Sequence, residues 1–457
     1  ELHRAPSSLL LYMAKNPTKK SWRRPTWSML GFDGFALTAA GGTAPPAPKL
    51  VVWPGNPLVD AWDRGPAVFT GGVRPIRIAG TRNGAFSGVA MVRSAETIKT
   101  LTVVPGEFRL VGNAGSISAS AVQVRYAMPG DPPVVGAAVR HVKGARYLGV
   151  LAEATPKELA VPDGASGMLL PVWLTVNVPR DAKPGQYRGA VTVTVNAAST
   201  RVPVELSVAD YVLPDTKDFT TFVGLMESPE SVALRYGVEL WSDAHWKLLD
   251  KVFLHLGQVH VQSVFIPLVG KTNMGNLQTM VRWIKQPDGS YKHDFIAVDK
   301  YLDLVHKHLG RIPVVVLYAW TATHGGGSFG RVPNAKKNAT PMVFTAVDPA
   351  TGKVAEAIGP DWGTPESVPF WKPVFDGLRQ RLKARGLEKS AALGMVCDFT
   401  PSKQAVNDLK IVAPEMLWVV HAHGLARSFA GRPVATAACV WGVKEPRVST
   451  SKYRRYG

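Results

Sequence analysis

The sequence contains few cysteines and no long hydrophobic run. Cys397 and Cys439 are its two cysteines, so no disulfide framework holds the chain together. Both lie in apolar, strand-like runs, which indicates buried free thiols, with a thiol nucleophile as the alternative. The longest early apolar run extends only from Leu9 to Ala14, whereas a membrane-spanning helix needs roughly 18 apolar residues. Disulfide-rich and membrane-spanning classes are therefore excluded.

Negative charge is also scarce. The 34 acidic residues are outnumbered by 53 lysines and arginines, which gives a formal net charge of +19. Such a surface attracts nucleic acid, an anionic membrane or an acidic polysaccharide. The basic residues are densest near the two termini, at 15–24 and 452–455, where we interpret them as solvated. No zinc-finger spacing or RNA-binding aromatic motif accompanies the charge, so nucleic acid is not an expected partner.

The first half of the chain has the pattern of a β-sandwich. Residues 1–48 predict a basic irregular arm that ends in a proline-rich linker. Residues 49–213 contain short alternating runs between turn residues, such as 75–79, 121–126 and 191–195. Alternation places one face of a strand in a core and the other in water. We also expect residues 171–195 to form a hairpin around the turn-forming Asp181–Gly185.

From residue 214 to 457, apolar strand-like runs alternate with helix-like ones. Buried strands in alternation with helices indicate a parallel sheet, and we predict a (β/α)8-type TIM barrel. Six strands precede Gly457, whereas a closed barrel needs eight. We expect the chain to be a fragment or to lack a remainder; two missed strands or a completing partner are the alternatives. The predicted strands cover 220–226, 261–266, 313–320, 391–398, 416–421 and 434–441, and the helices about 241–256, 299–309 and 368–385.

Three segments carry a resemblance to a known family. They are Arg82–Val89 (RNGAFSGV), Val178–Gly189 (VPRDAKPGQYRG) and Lys292–Phe295 (KHDF). On them the chain resembles glycoside hydrolase family 123 and its uncharacterised bacterial relatives, from about residue 70 to 445. The resemblance implies a β-sandwich followed by a catalytic barrel and an extracytoplasmic location (periplasmic, cell surface or secreted). We expect no cofactor. A fold by itself does not fix an activity.

The resemblance also implies a catalytic position. Family 123 has an adjacent Asp-Glu pair at the end of the fourth barrel strand, used in substrate-assisted hydrolysis of N-acetylgalactosaminides. The Asp orients the acetamido group of the substrate as internal nucleophile, and the Glu is the general acid. The matching residue of this sequence is Asp398, but Phe399 stands where the acid is expected. A phenyl ring donates no proton, so another acid is required.

The ends of the other predicted strands supply further candidates for a sugar site. Glu227 is the first replacement for the missing acid, because glycoside hydrolysis generally uses two carboxyl groups. His324 and His421 are the alternative proton donors. Helix capping by Asp398 and surface ion pairing by Glu227 are the structural alternatives. For the predicted substrate contacts, the alternative is ordinary packing. His421 and His423, at i and i+2, could instead bind a metal, but no further ligand pattern supports a metal site. Predicted substrate contacts are Trp320, His324, His421, His423 and Trp441.

The segment 321–366 is an unusually long connection for a barrel, with a sequon at Asn338. Loops of this length are generally lids, binding loops or interfaces. We predict that it shapes the cleft or, with the basic termini, contacts a protein partner. Two functions remain open: a glycoside hydrolase acting on a complex amino-sugar or acidic polysaccharide, and a non-catalytic carbohydrate-binding or assembly protein that retained the fold.

Overall fold

The computed structural model describes residues 49–59, 61–63, 73–130, 145–220, 222–272, 274–320, 342–394, 401–422, 428–439 and 454–456. The chain divides into two compact units between Pro214 and Asp215. Each unit has a hydrophobic core of its own. The predicted N-terminal arm, 1–48, lies outside the described residues.

In its described part, the first unit consists of strands and one short turn of 3-10 helix, Ala119–Ala121. Their residues alternate between buried and exposed positions along much of their length, as in Ala198–Val212, so each strand has a core face and an outer face. The predicted runs at 75–79, 121–126 and 191–195 are confirmed as strands, except that Pro75 and Ala121 precede theirs. The strands are β1 Leu50–Gly55, β2 Ile76–Arg82, β3 Gly84–Ser94, β4 Leu101–Pro105, β5 Phe108–Leu110, β6 Ser116–Ile117, β7 Val122–Pro129, β8 Leu148–Ala152, β9 Met168–Val178, β10 Gly185–Val195 and β11 Ala198–Val212.

These strands form two sheets that share one core, the arrangement of a β-sandwich. One sheet has the order β1-β3-β9-β7-β8, and the other has the order β2-β11-β10-β5-β6 with β4 beside β10. Every pairing is antiparallel except that of β2 with β11. Val92 and Val172 from the first sheet and Val193 and Leu206 from the second are all buried in the common core. Burial of such side chains is the main stabilising contribution to this unit.

The predicted hairpin at 171–195 is wrong. Strand β9 pairs with β3 and β7 in one sheet, whereas β10 pairs with β11 in the other. The turn residues Asp181–Gly185 therefore carry the chain from sheet to sheet. The hydroxyl of Tyr187 donates to the Lys183 carbonyl at 2.7 Å and fixes this corner, as in the tyrosine corner of other sandwiches. Turn chemistry marks a change of direction but does not specify the next pairing partner.

The second unit alternates strands and helices. It contains α1 Pro229–Tyr236, α2 Asp243–Gln258, β12 Ser263–Pro267, β13 Arg282–Lys285, β14 Tyr291–Asp294, α3 Ile296–Leu309, β15 Val314–Tyr318, β16 Met342–Val347, β17 Val354–Gly359, α4 Ser367–Ala384, β18 Ala391–Leu393, α5 Lys403–Val412, β19 Leu417–Ala422, β20 Ser428–Phe429, β21 Arg432–Cys439 and β22 Arg454–Tyr456. The three predicted helices are confirmed as α2, α3 and α4.

Local sequence explains where these helices begin. Ser242 caps α2 by accepting a hydrogen bond from the His245 amide, and Ser402 caps α5 in the same way through Ala405. A serine side chain at this position satisfies one of the free amides of the first turn. Leu249 and Phe253 of α2 are four residues apart and both fully buried, which gives that helix its core face.

The main sheet of this unit is parallel and follows chain order. Strands β12, β15, β18, β19 and β21 are neighbours in the sheet in that order, and each adjacent pair is parallel. β12 and β15 are buried along their whole length, as expected for strands covered on both faces. The first predicted strand, 220–226, is reduced to a parallel bridge between Val223 and Val261.

The predicted closed barrel is not confirmed, because the part of the chain that the structure describes contains an open sheet. Its last strand was missed: Arg454–Tyr456 forms β22 and pairs parallel to β21, although the basic residues there predicted a solvated terminus. A strand of three residues leaves too little hydrophobic pattern to be recognised.

A second, smaller sheet was not predicted. Strands β14, β13, β16 and β17 form it in that order. β13 and β14 follow β12 in the chain, and β16 and β17 follow β15. The segment 321–366 is therefore not one long loop, since two of its parts are strands. The indole of Trp362 donates to the Ala319 carbonyl at 2.8 Å, which ties the end of the segment to the end of β15.

Candidate functional site

Glu227 lies four residues beyond Val223, which forms an isolated parallel bridge with Val261, two residues before β12. Its side chain is 8% exposed. The hydroxyl of Tyr301 donates to its Oε2 atom at 3.2 Å. The Oε1 atom is buried and has no hydrogen-bond partner among the described residues. The carboxyl group thus has one bonded oxygen and one free oxygen.

The surroundings keep this carboxyl group protonated. Burial raises the pKa of Glu227 to about 8, although the Tyr301 hydrogen bond opposes part of that shift. Desolvation penalises the charged form of an acid, which is why an apolar site makes a carboxyl group a proton donor at neutral pH. Glu227 is therefore mainly neutral at pH 7 and can act as a general acid.

Tyr301 is the residue that sequence reasoning missed. It lies on α3, is fully buried and contacts Phe253 of α2 edge-on, with ring centroids 5.1 Å apart. Burial, followed by the nearby Glu227 carboxyl, raises the pKa of the Tyr301 phenol well above its ordinary value. Its only sequence signal was a hydroxyl on the apolar face of a predicted helix, and such a residue is more often part of a core.

Glu230 is buried as well but has a structural role. Its Oε2 atom accepts hydrogen bonds from the backbone amides of Leu277 and Gln278, at 2.9 and 3.0 Å. It thereby holds the loop after β12 against the start of α1. Two carboxyl groups three residues apart thus have different environments, which the sequence did not distinguish.

The loop after β12 is built on a buried polar network. Asn276 donates from its side-chain amide to the carbonyls of Val269 and Gln278, at 2.9 and 2.8 Å, and Thr272 donates to its side-chain oxygen. The Thr279 amide donates to Thr345 of β16 at 2.8 Å. Because nearly every polar group here is paired, the loop has a defined conformation beside Glu230.

His245 connects α2 to the first turn of α1. One ring nitrogen, Nε2, donates to the Pro229 carbonyl at 2.8 Å, and Nδ1 accepts from the Trp241 amide at 3.1 Å. These partners define a neutral ring with its proton on Nε2. Burial lowers its pKa.

The predicted substrate contact Trp320 lies in the core. Its side chain is 1% exposed, and its ring lies 5.5 Å from that of Trp418 on β19. This environment favours the packing alternative over a stacking platform for a sugar. The strand end that carries Trp320 is correctly predicted, but the direction of the side chain was not visible in the sequence.

Most other predicted site residues lie outside the described residues. These are Asp398, His324, His423 and Trp441, together with Cys397. His421 is described through its backbone, which belongs to β19 and is paired with Ala438 of β21. Of the seven predicted residues, the structure therefore gives side-chain environments for Glu227 and Trp320.

Two features of the described residues concern cofactors and membranes. Within those residues, no group of three or more His, Cys, Asp or Glu side chains is arranged to hold a metal ion. None of the helices described is long and apolar enough to cross a membrane.

Comparison with known families gives one match. Residues 227–422 match the catalytic domain of glycoside hydrolase family 123. A comparison with curated protein sequences gives no significant match.

Comparison with solved structures adds three matches, of which the first is similar in fold. A family 123 glycoside hydrolase from Clostridium perfringens, described in a study of glycolipid glycan hydrolysis, is 13% identical; the match has a TM-score of 0.62 and covers 86% of this chain and 67% of that one. A β-glucuronidase from Parabacteroides merdae is 11% identical; the match covers 80% of this chain and 35% of that one, with a TM-score of 0.23. A cycloisomaltooligosaccharide glucanotransferase from Paenibacillus is 9% identical; the match covers 81% of this chain and 49% of that one, with a TM-score of 0.20. The last two scores are too low to indicate a shared fold.

The fold and the family match together define a glycoside hydrolase-like chain. The match at 227–422 confirms the resemblance to glycoside hydrolase family 123 that was inferred from the sequence.

Proposed function

We propose that this chain hydrolyses glycosidic bonds, with Glu227 as the general acid. The observation that carries the proposal is a buried carboxyl group, with its pKa raised to about 8, at the first residue of the family 123 match. A glycosidase needs a carboxyl group that is protonated at working pH. The family resemblance places the general acid directly after Asp398, where this sequence has Phe399. Glu227 has the protonation state that the missing acid requires.

The proposed reaction uses two carboxyl groups in different roles. Glu227 donates its proton to the glycosidic oxygen as the bond between that oxygen and the anomeric carbon breaks. In the family resemblance, Asp398 orients the acetamido group, whose oxygen attacks the anomeric carbon. Water then opens the cyclic intermediate, and the Glu227 carboxylate takes up a proton from that water. The proton donor and acceptor are thus the same residue at successive steps.

The proposed substrate is an amino-sugar or acidic polysaccharide. The acetamido chemistry comes from the family resemblance, and the formal charge of +19 favours an anionic polymer.

We further propose that the parallel sheet is the wall of a TIM barrel, because its strands follow chain order. We also propose that the protein works outside the cytoplasm. The P-nitrophenyl glycosides of N-acetylhexosamines and uronic acids are suitable first substrates.

A leaving-group series tests the role of Glu227. Poor leaving groups need a proton from the acid, whereas a nitrophenolate leaves without one. Glu227→Gln should therefore lose about a hundredfold or more of kcat on natural glycosides and much less on nitrophenyl glycosides. Glu230→Gln is the matched control, since it alters a neighbouring buried carboxyl group that is already paired with backbone amides. An equal loss with both classes of substrate would exclude Glu227 as the acid.

The second candidate is a non-catalytic carbohydrate-binding protein. The specific observation in its favour is Phe399, which removes the acid that family 123 places beside Asp398. It predicts glycan binding by calorimetry without cleavage, and binding that Asp398→Asn weakens. Turnover of any glycoside that is abolished by Asp398→Asn would decide for the enzyme.

A further inference from the structure

We infer that Tyr301 is a positioning residue for Glu227: its hydroxyl keeps the transferable proton on Oε1 and stabilises the carboxylate that remains when the proton leaves. This inference rests on the proposed function, because it concerns the acid of that reaction.

The hydrogen bond makes the two oxygens of the Glu227 carboxyl group chemically different. Tyr301 donates to Oε2 at 3.2 Å, while Oε1 has no partner in the described part of the chain. In a neutral carboxyl group one oxygen carries the proton and the other accepts. Since Oε2 already accepts from the phenol, the proton belongs on Oε1, the oxygen that has no hydrogen-bond partner among the described residues.

The direction of this hydrogen bond is fixed by the chemistry of the phenol. Burial and the neighbouring carboxyl group raise the pKa of Tyr301, so it stays protonated at neutral pH and remains the donor. The backbone of Phe265 also interacts with the phenol. The ring contacts Phe253 edge-on. Tyr301 therefore has little freedom to leave the carboxyl group.

Ion pairs hold the helix that carries Tyr301. Asp299, two residues earlier on α3, pairs with Arg381 at 2.9 Å and with Arg385 at 3.1 Å, both from the end of α4. Arg385 also pairs with Asp303 at 2.7 Å. This network joins α3 to α4 on both sides of Tyr301. A donor held in this way is preorganised, so no reorganisation is needed when charge appears on its acceptor.

The hydrogen bond becomes stronger during the reaction. When Oε1 gives up its proton, Glu227 becomes a carboxylate, and the Tyr301 bond changes from a neutral one to a charge-assisted one. An interaction that strengthens toward the transition state lowers the barrier rather than only aiding binding. Hydrogen bonds to charged groups are worth about twice the neutral ones, which makes this contact a contributor to kcat.

Tyr301→Phe tests the inference because it removes the hydroxyl and keeps the ring. On substrates with poor leaving groups we expect kcat to fall about ten- to a hundredfold, with little change in KM and a smaller loss on nitrophenyl glycosides. The alkaline limb of the pH profile should move to higher pH, because the Tyr301 bond lowers the pKa of Glu227. The control is Tyr187→Phe, which removes another buried phenol bond, to Lys183, in the first unit.

A readout without catalysis completes the test. The carbonyl stretch of the protonated Glu227 carboxyl, assigned by its loss in Glu227→Gln, should persist to higher pH in Tyr301→Phe and be unchanged in Tyr187→Phe. If the band titrates at the same pH in Tyr301→Phe and all substrates lose activity equally, Tyr301 is structural and the inference is overturned while the proposed function stands. If the unaltered protein cleaves no glycoside, the proposed function fails, and the inference fails with it.

Discussion

Glu227 is a carboxyl group that the folded chain keeps neutral, and its protonation must affect stability as well as catalysis. Its pKa rises from an ordinary 4.5 to about 8 on folding. Between these values the folded protein holds a proton that the unfolded chain has released. The folded state thus binds more protons in this window, and the free energy of unfolding contributed by Glu227 decreases as pH rises through it.

Glu227→Gln should remove this dependence. The amide is neutral at every pH and still accepts from Tyr301, so we expect the variant to be more stable than the parent at pH 8, by on the order of a few kcal/mol, and similar near pH 4.5. Urea unfolding across this pH range measures the difference.

The neighbouring Glu230 gives the contrasting result. Its carboxylate accepts from two backbone amides, so Glu230→Gln should lower stability by about 1–2 kcal/mol, because hydrogen bonds to a charged acceptor are lost. If Glu227→Gln were also destabilising at pH 8, Glu227 would have to be charged in the folded protein, contrary to its environment.

His245 contributes pH dependence of the opposite sign. Burial lowers its pKa below 6.5, so the unfolded chain takes up a proton at a higher pH than the folded protein does. The contribution of His245 to stability is complete above pH 6.5 and is lost as pH falls through the lowered pKa.

We expect His245→Gln to abolish that decrease at low pH and to reduce stability at pH 7.5 by about 1–3 kcal/mol, since the Trp241 amide loses its acceptor. Thermal unfolding at pH 7.5 and at pH values below 6.5 measures the two effects. A variant whose stability still decreases as steeply below pH 6.5 would assign the titration to another group.

At the scale of elements, β10 and β11 form a hairpin in the first unit. Two residues, Asn196 and Ala197, connect its strands, and Asn196 has a left-handed φ of 52°. Its side chain accepts from the amides of Lys99 and Thr100 and donates to the carbonyl of Thr97. One asparagine thus fixes both the hairpin turn and the neighbouring loop.

Asn196→Ala should lower the free energy of unfolding by about 2–4 kcal/mol, because alanine disfavours this φ and leaves those backbone groups unpaired. Asn196→Asp retains both the left-handed preference and the acceptor oxygen, so its loss should be smaller. Equal losses for the two variants in chemical denaturation would mean that only the Thr97 contact matters.

The hairpin that failed shows what local pattern leaves undetermined. The sequence 171–195 correctly predicts two strands and a turn, because alternation and turn residues are local properties. Which strand pairs with which depends on the neighbours across the core. β9 packs between β3 and β7, and its residues are buried on both faces for most of its length. The chain therefore enters the other sheet after the turn.

At the scale of the whole molecule, the two units have separate cores. We therefore predict that each unit responds to its own mutations. Hydrogen exchange followed by mass spectrometry should show faster exchange in β10 and β11 for Asn196→Ala and in α1 and α2 for His245→Gln. Equal acceleration throughout the chain in either variant would mean that the units unfold together.

By itself the sequence determined the strand-rich first unit, the alternation of strands and helices in the second, and the resemblance to family 123 at its quoted segments. These follow from periodicity and motifs, which are properties of neighbouring residues. Only the tertiary structure decided that β9 and β10 belong to different sheets, that Trp320 is buried against Trp418, and that Tyr301 donates to Glu227. These depend on residues far apart in the chain, 74 positions in the case of Tyr301 and Glu227. Their burial, which sets the protonation of Glu227, exists only once the core has formed.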